Sequence, residues 1–345
     1  MRLARIVAGR RAPDGLVGAI LTADLVVAGQ RWFKGRRLSI ADLDAYATEP
    51  PGGAATVIVL EPGELHEDDA GLRLAAGVAG PGLETRGPNQ SRVDLLAAHA
   101  GVLHVRVGAL ERINRVDPLE VFTAFDGSIV EAGQLVASVK IAPHVVDAAV
   151  LDAVLRRLRS ESSALIRVDP FLPMRVAVIV KESLRAADRK RFERSVRDKV
   201  EGLGSTIAGI AYVPDDDPEV RAALSDALRD GADVVLTAGG RSTDPLDPFF
   251  TAIDALGGAV VRHGVPAHPG SMLWLARIKR TAVLGLPTCG AYSKATAADL
   301  VLPRLLTGER PGRGLVAGLG HGGLLTRDQR FRFPSYARNL DAPDG

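Results

Sequence analysis

Residues 234–258 read VVLTAGGRSTDPLDPFFTAIDALGG. An apolar run ends at Gly239-Gly240, a polar loop carries Asp244-Pro245 and Asp247-Pro248, and an amphipathic run closes on Gly257-Gly258. A short β-rich apolar run that stops on glycine reads as a buried strand. Aspartate directly before proline is the pattern of an N-cap followed by proline in the first helical turn. The stretch is therefore a strand, a loop and a helix. The same alternation continues on both sides. RVAVIV (175–180), STIAGIAYV (205–213), AVVRHG (259–264) and TAVLGLP (281–287) read as strands. ADRKRFERSVRDKVEGLG (187–204) reads as a helix with Phe192, Val196 and Val200 inward, and DPEVRAALSDALRDG (217–231) as one capped at Asp216 or Asp217. AYSKATAADLVLPRLLTG (291–308) is a third such segment. Strands alternating with helices predict a three-layer α/β fold over 169–310, a mostly parallel sheet with helices on both faces.

Upstream the texture differs. Residues 1–168 mix short strand-like runs with glycine and proline punctuation and a few helices, which predicts an α+β N-terminal domain. SIADLDAY (39–46) reads as a helix with Ser39 as N-cap and Asp42 at the third position, and HEDDAGLRLAAGVAG (66–80) as one capped by Asp68 or Asp69, with Leu72, Leu74 and Ala75 on its apolar face. VVDAAVLDAVLRRLRSES (145–162) places Val146, Val150, Val154 and Leu158 on one stripe. Residues 311–345 are rich in Gly and Arg without periodicity, and are expected to form a tail packed locally through Phe331, Phe333 and Tyr336.

Composition excludes several classes. The 345 residues carry 43 Lys and Arg against 41 Asp and Glu, so there is no basic excess for nucleic acid. One cysteine, Cys289, cannot form an internal disulfide or a multi-cysteine zinc site. No apolar stretch reaches the ~20 residues of a membrane helix, and the first fifteen residues show no secretory pattern. A cytoplasmic protein is expected.

Ligands of such folds sit beyond the carboxyl ends of the strands. Three loops there are candidates: Gly239-Gly240-Arg241-Ser242-Thr243-Asp244 with Asp247, then Pro269-Gly270-Ser271, then Gly285-Leu286-Pro287-Thr288-Cys289 with Lys294. Glycines let backbone N–H groups approach a ligand, and a helix start favours an anion. Each residue also has a plainer reading. Asp244 and Asp247 serve as caps, Arg241 as a solvated loop residue, Cys289 as a small buried side chain, and Lys294 equally as a solvated side chain or a phosphate ligand. The acidic cluster EPGELHEDDA (61–70) reads as a carboxylate-rich helix start before it reads as a metal site.

The order Gly239-Gly240, Ser242, Asp244, Asp247, then Pro269-Gly270, then Gly285-Leu286-Pro287 resembles the molybdopterin-binding domain of molybdenum cofactor biosynthesis, the family of molybdopterin adenylyltransferases and molybdenum insertases. Asp244 stands where the family pattern has glycine, Thr288-Cys289 where it has Gly-Asn, and the first strand runs VIVKES without the Thr-Gly-Asp/Glu signature. EPGELHEDDA and GQLVASVKIAP (133–143) resemble a divergent bacterial branch in which such a domain follows an α+β half.

That resemblance implies molybdopterin or its nucleotide form as ligand, with the aspartate matching Asp247 beside the cofactor's reactive end. Asp244 places a second carboxylate near it, and the two, taken as the catalytic pair, are expected to hold Mg²⁺ or to repel a molybdate ligand. It implies a role in modifying the cofactor or delivering it to a molybdoenzyme, and self-association into a homo-oligomer. A nucleotide-phosphate hydrolase on the same fold and a non-catalytic insertion scaffold are the rival expectations.

Overall fold

The computed structural model describes residues 1–161, 163–181, 185–286 and 295–338. The chain divides into two compact units. The first comprises Met1–Ala98, His104–Asp126 and Ala132–Val168; the second takes His99–Leu103, Gly127–Glu131 and the chain from Asp169 on.

In the first unit, Arg2–Val7, Ala54–Val59 and Ile20–Leu21 form one antiparallel sheet, and Leu119–Thr123, Leu135–Ile141, Arg92–Ala97 and Leu83–Asn89 form another. The helix Ile40–Thr48 carries the expected capping box: the Ser39 hydroxyl accepts from Asp42 N, and Asp42 Oδ2 accepts from Ser39 N at 2.9 Å. The helix Glu67–Val78 is capped instead by His66, whose Nδ1 accepts from Asp68 N at 3.1 Å. It buries Ala70, Leu74, Ala75 and Val78 and leaves Leu72 exposed. In the helix Ala148–Arg159 the buried positions are Leu151 and Leu155, one residue off the expected stripe. Val146 belongs to the preceding strand, Val145–Asp147, so helical periodicity does not extend back to it.

The second unit holds a six-stranded sheet, whose elements are β1 (Arg175–Val180), α1 (Ala186–Glu201), β2 (Thr206–Tyr212), α2 (Asp217–Arg229), β3 (Val234–Ala238), α3 (Pro248–Ala255), β4 (Ala259–His263), β5 (Trp274–Ile278), β6 (Thr281–Gly285) and α4 (Ala298–Leu305). The strand order is β2-β1-β3-β6-β5-β4, with β2, β1, β3 and β6 parallel and β5 and β4 antiparallel. One face buries Val176, Val178, Leu236 and Leu284 with Phe192, Val196 and Val200 of α1; the other packs Ala177, Ile179, Val235 and Val283 with Val220 and Leu224 of α2 and Phe249 and Ile253 of α3. This is the predicted mostly parallel sheet with a helix layer on each face.

Two features depart from the sequence reading. β5 is an additional strand: Lys279 turns the chain with φ 53, and Trp274–Ile278 folds back antiparallel on β6. AVVRHG is consequently the antiparallel edge strand β4. The segment after residue 310 is more than a locally packed tail. It carries a short helix (Arg313–Ala317), and Leu315, Val316, Leu319, Leu325, Phe333 and Ala337 enter the core beside α1 and α4. Apolar residues spaced irregularly among glycines bury well without presenting a period.

Candidate functional site

Three parallel strands of the second unit end at one edge of the sheet. β1 ends at Val180, β3 at Ala238 and β6 at Gly285, with Val180 opposite Ala238 and Thr237 opposite Gly285. Lys181 continues β1, its N–H donating to the Ala238 carbonyl at 3.0 Å. Its side chain is fully buried. Nζ lies 2.6 Å from Asp247 Oδ2 and 2.8 Å from Asp215 Oδ1, and 5.4 Å from the centre of the Phe249 ring. A desolvated ammonium is tolerated only with such partners, and the aromatic face adds cation–π attraction.

Asp247 is 1% exposed and both of its carboxylate oxygens are engaged. Oδ1 accepts from Phe249 N at 2.9 Å, the capping bond of α3, while Oδ2 accepts from Arg241 N at 2.6 Å as well as from Lys181. One aspartate thus caps the helix, fixes the turn of the glycine loop and neutralises the lysine. Arg241 bridges outward, 3.4 Å from both Asp215 and Asp244. The Lys181 hydrogen bond holds the Asp215 carboxyl below its ordinary value of 3.8, partial burial opposes this, and Arg241 reinforces it. Asp244 Oδ1 accepts from Leu246 N at 3.0 Å, closing an aspartate turn inside the loop.

The glycines are required by space. Gly239 has φ 83, a left-handed conformation that side chains resist. A Cβ on Gly240 would only touch the Phe249 ring, at 3.4 Å, whereas one on Gly285 would enter the Trp274 indole. Gly270 has φ 103, and a Cβ there would lie 2.8 Å from Ala297 N. Pro269 accepts from that same N–H at 2.9 Å, so the Pro269-Gly270-Ser271 loop is fastened to the entry of α4. Ser242 is half-buried and its carbonyl accepts from His263 Nε2, while Thr243 is exposed. Leu286 is buried, its N–H donating to Thr237 at 2.9 Å. Pro287, Thr288, Cys289 and Lys294 lie outside the described residues.

Residues 181–307 match the family model of the probable molybdopterin binding domain. The matched segment begins on Lys181 and contains every loop described above. Among solved structures, the chain is similar to the molybdopterin biosynthesis enzyme MoaB from Thermus thermophilus, at 23% identity over 40% of this chain and 98% of that one, with a TM-score of 0.31. It is also similar to the molybdopterin biosynthesis MoeA protein from Pyrococcus horikosii, at 16% identity over 73% of this chain and 80% of that one, TM-score 0.30. A third is a molybdopterin biosynthesis protein from Mycobacterium abscessus, at 15% identity over 44% of this chain and 98% of that one, TM-score 0.29. No curated protein matches the chain.

Within the segment that matches this model, the site residues fit a divalent cation poorly. Asp247 has no free oxygen without displacing Lys181 or two backbone donors, and Asp244 faces Arg241. Among the described residues, no group of three His, Cys, Asp or Glu side chains could hold a metal ion. Hard cations such as Mg²⁺ take several oxygen ligands, so one loop carboxylate is a weak basis for a site. Lys181 and Asp215 are the functional candidates that motif reasoning missed. The available signal was a lone lysine directly after five apolar residues, at the strand end where a ligand would sit.

Proposed function

We propose that this chain binds molybdopterin or its nucleotide form in molybdenum cofactor biosynthesis, at the strand ends bearing Lys181, Gly239-Gly240 and Asp247. The family match over residues 181–307 carries this reading. The local chemistry supports it. A glycine turn that lets a ligand approach the backbone and the exposed guanidinium of Arg241 suit the terminal phosphate, and Gly285 ends the strand next to the one that leads into that turn. Delivery to a molybdoenzyme and homo-oligomer formation are part of the proposal and rest on the family alone.

The buried Lys181–Asp247 pair favours binding over metal-dependent phosphate hydrolysis, because the aspartate that would hold the metal is already neutralised. The test is gentle purification from molybdate-replete cells followed by mass spectrometry of the released small molecules, with titration of the apoprotein by molybdopterin. Retention of the pterin by the intact chain and its loss in Gly240→Val support the proposal. A folded protein that neither retains nor binds molybdopterin refutes it.

A further inference from the structure

The two N-terminal stretches set apart in the sequence, EPGELHEDDA and GQLVASVKIAP, converge on a single cavity of the first unit, of about 460 Å³. Lys34, Glu67, Gln90, Ser91, Lys140 and His144 line it. The four residues of the HEDD run each fasten a different wall. His66 Nε2 donates to the Gly35 carbonyl at 2.8 Å, which is consistent with its Nδ1 accepting from Asp68 N. Glu67, 5% exposed, accepts from His144 Nδ1 at 2.9 Å, and its own N–H donates to the His144 carbonyl at 3.0 Å. Asp68 Oδ1 accepts from Ser91 N at 3.2 Å, and Asp69 pairs with Arg37.

The walls themselves are held in costly shapes. Gly35 has φ 81, and a Cβ there would strike Glu67 Oε1, so only glycine leaves the carboxylate room to reach His144. Gln90 and Ser91 occupy the left-handed region at φ 49 and 66, conformations that non-glycine residues take at a cost. Ser91 is 2% exposed and lines the cavity. Lys34 and Lys140 are exposed, and the charge of Lys34 also acts on the Asp24 carboxyl. The proton on His144 Nδ1 is committed to Glu67, which leaves Nε2 as the free end of an oriented ring.

We propose that this cavity is a second small-molecule site, for a phosphate-bearing ligand held by Lys34 and Lys140 and hydrogen-bonded by the Ser91 hydroxyl, with the His144 ring in the cavity wall as its reporter. Its volume is in the range of small-ligand pockets, and two ammoniums beside a buried serine form an anion-recognising set. The site uses no residue of the molybdopterin-binding domain, so it stands or falls independently of the function proposed above.

The test is titration of the full chain with inorganic phosphate and with pyrophosphate, following the His144 ring resonances by NMR, identified by their loss in His144→Gln. The expected result is a saturable shift. Lys34→Met, Lys140→Met and Ser91→Gly should each weaken it by about fivefold or more, glycine being compatible with the left-handed backbone at 91. Lys190→Met, which removes an exposed charge in the other unit, should leave it unchanged. Absence of any shift through ~20 mM pyrophosphate, well above the roughly millimolar binding that a few charge contacts would give, overturns the proposal. So does equal weakening by Lys190→Met, which would mean diffuse charge attraction, or indifference to all three cavity variants.

Discussion

Replacing Lys181 by methionine keeps the length and apolar stem of the side chain and removes only the ammonium. Asp247 would then be left 1% exposed with two backbone donors and no counter-charge, and Asp215 would lose its 2.8 Å partner. Breaking a buried ion pair by deleting one member costs roughly 3–5 kcal/mol. Retention of the Arg241 and Phe249 N–H bonds argues for the lower end, about 3 kcal/mol. The chain has two tryptophans, Trp32 in the first unit and Trp274 in β5, so a Trp32→Phe background makes fluorescence a reporter of the second unit. With a urea slope of about 2 kcal/mol per molar, the unfolding midpoint of that unit should fall by ~1.5 M. Combining Lys181→Met with Asp247→Asn should recover much of the loss, because the uncompensated charge disappears. A midpoint shift below ~0.3 M, or a double variant that costs the sum of the two singles, would refute the reasoning.

Asp215 supplies a pH signature of the same pair. Its folded-state value lies below 3.8, so it contributes stability that is present above that value and lost as the pH falls through the folded one. Carbon-detected titration should show the Asp215 carboxyl moving up towards 3.8 in Lys181→Met. Gly285→Ala places a methyl group in the Trp274 indole and should destabilise the second unit by about 1–3 kcal/mol or more, read as a lower urea midpoint and altered Trp274 emission. Gly270→Ala forces a left-handed backbone and a clash with Ala297 N, and should weaken molybdopterin binding more than it lowers thermal stability. Asp42→Ala removes both the capping box and the 2.7 Å bond from Arg36, and should cost the first unit about 1–2 kcal/mol in denaturant unfolding.

The α/β half was legible because its signals are local. Phe192, Val196 and Val200 repeat at helical spacing and are all fully buried, and Asp247-Pro248 begins α3 as its sequence demands. What was not legible depended on residues far apart. The burial of Lys181 is decided by carboxylates 34 and 66 positions later in the chain, and nothing in VIVKES specifies them. β5 was hidden because its hairpin turns at Lys279, where the usual glycine or asparagine is missing and only the paired structure shows the left-handed residue. In the helix 148–159 the stripe of Val150, Val154 and Leu158 lies one residue from Leu151 and Leu155, the side chains that are buried. HEDD looked like an acidic helix start, and it is one. Its four distinct partners, Gly35, His144, Ser91 and Arg37, emerge only when three separated segments are folded around it.

The residues after 310 bear on how the protein is made. Leu315, Val316, Leu319, Leu325, Phe333 and Ala337 share one core with β1, β3 and α1, so the second unit lacks part of its interior until 313–338 have emerged from the ribosome. Domains generally mature as they are synthesised, amino-terminal first. Here the second unit would wait, its glycine loop and Lys181 already translated, with an open apolar flank at α1 and α4. A nascent chain stalled before residue 313 should therefore be the form that chaperones hold and proteases cut.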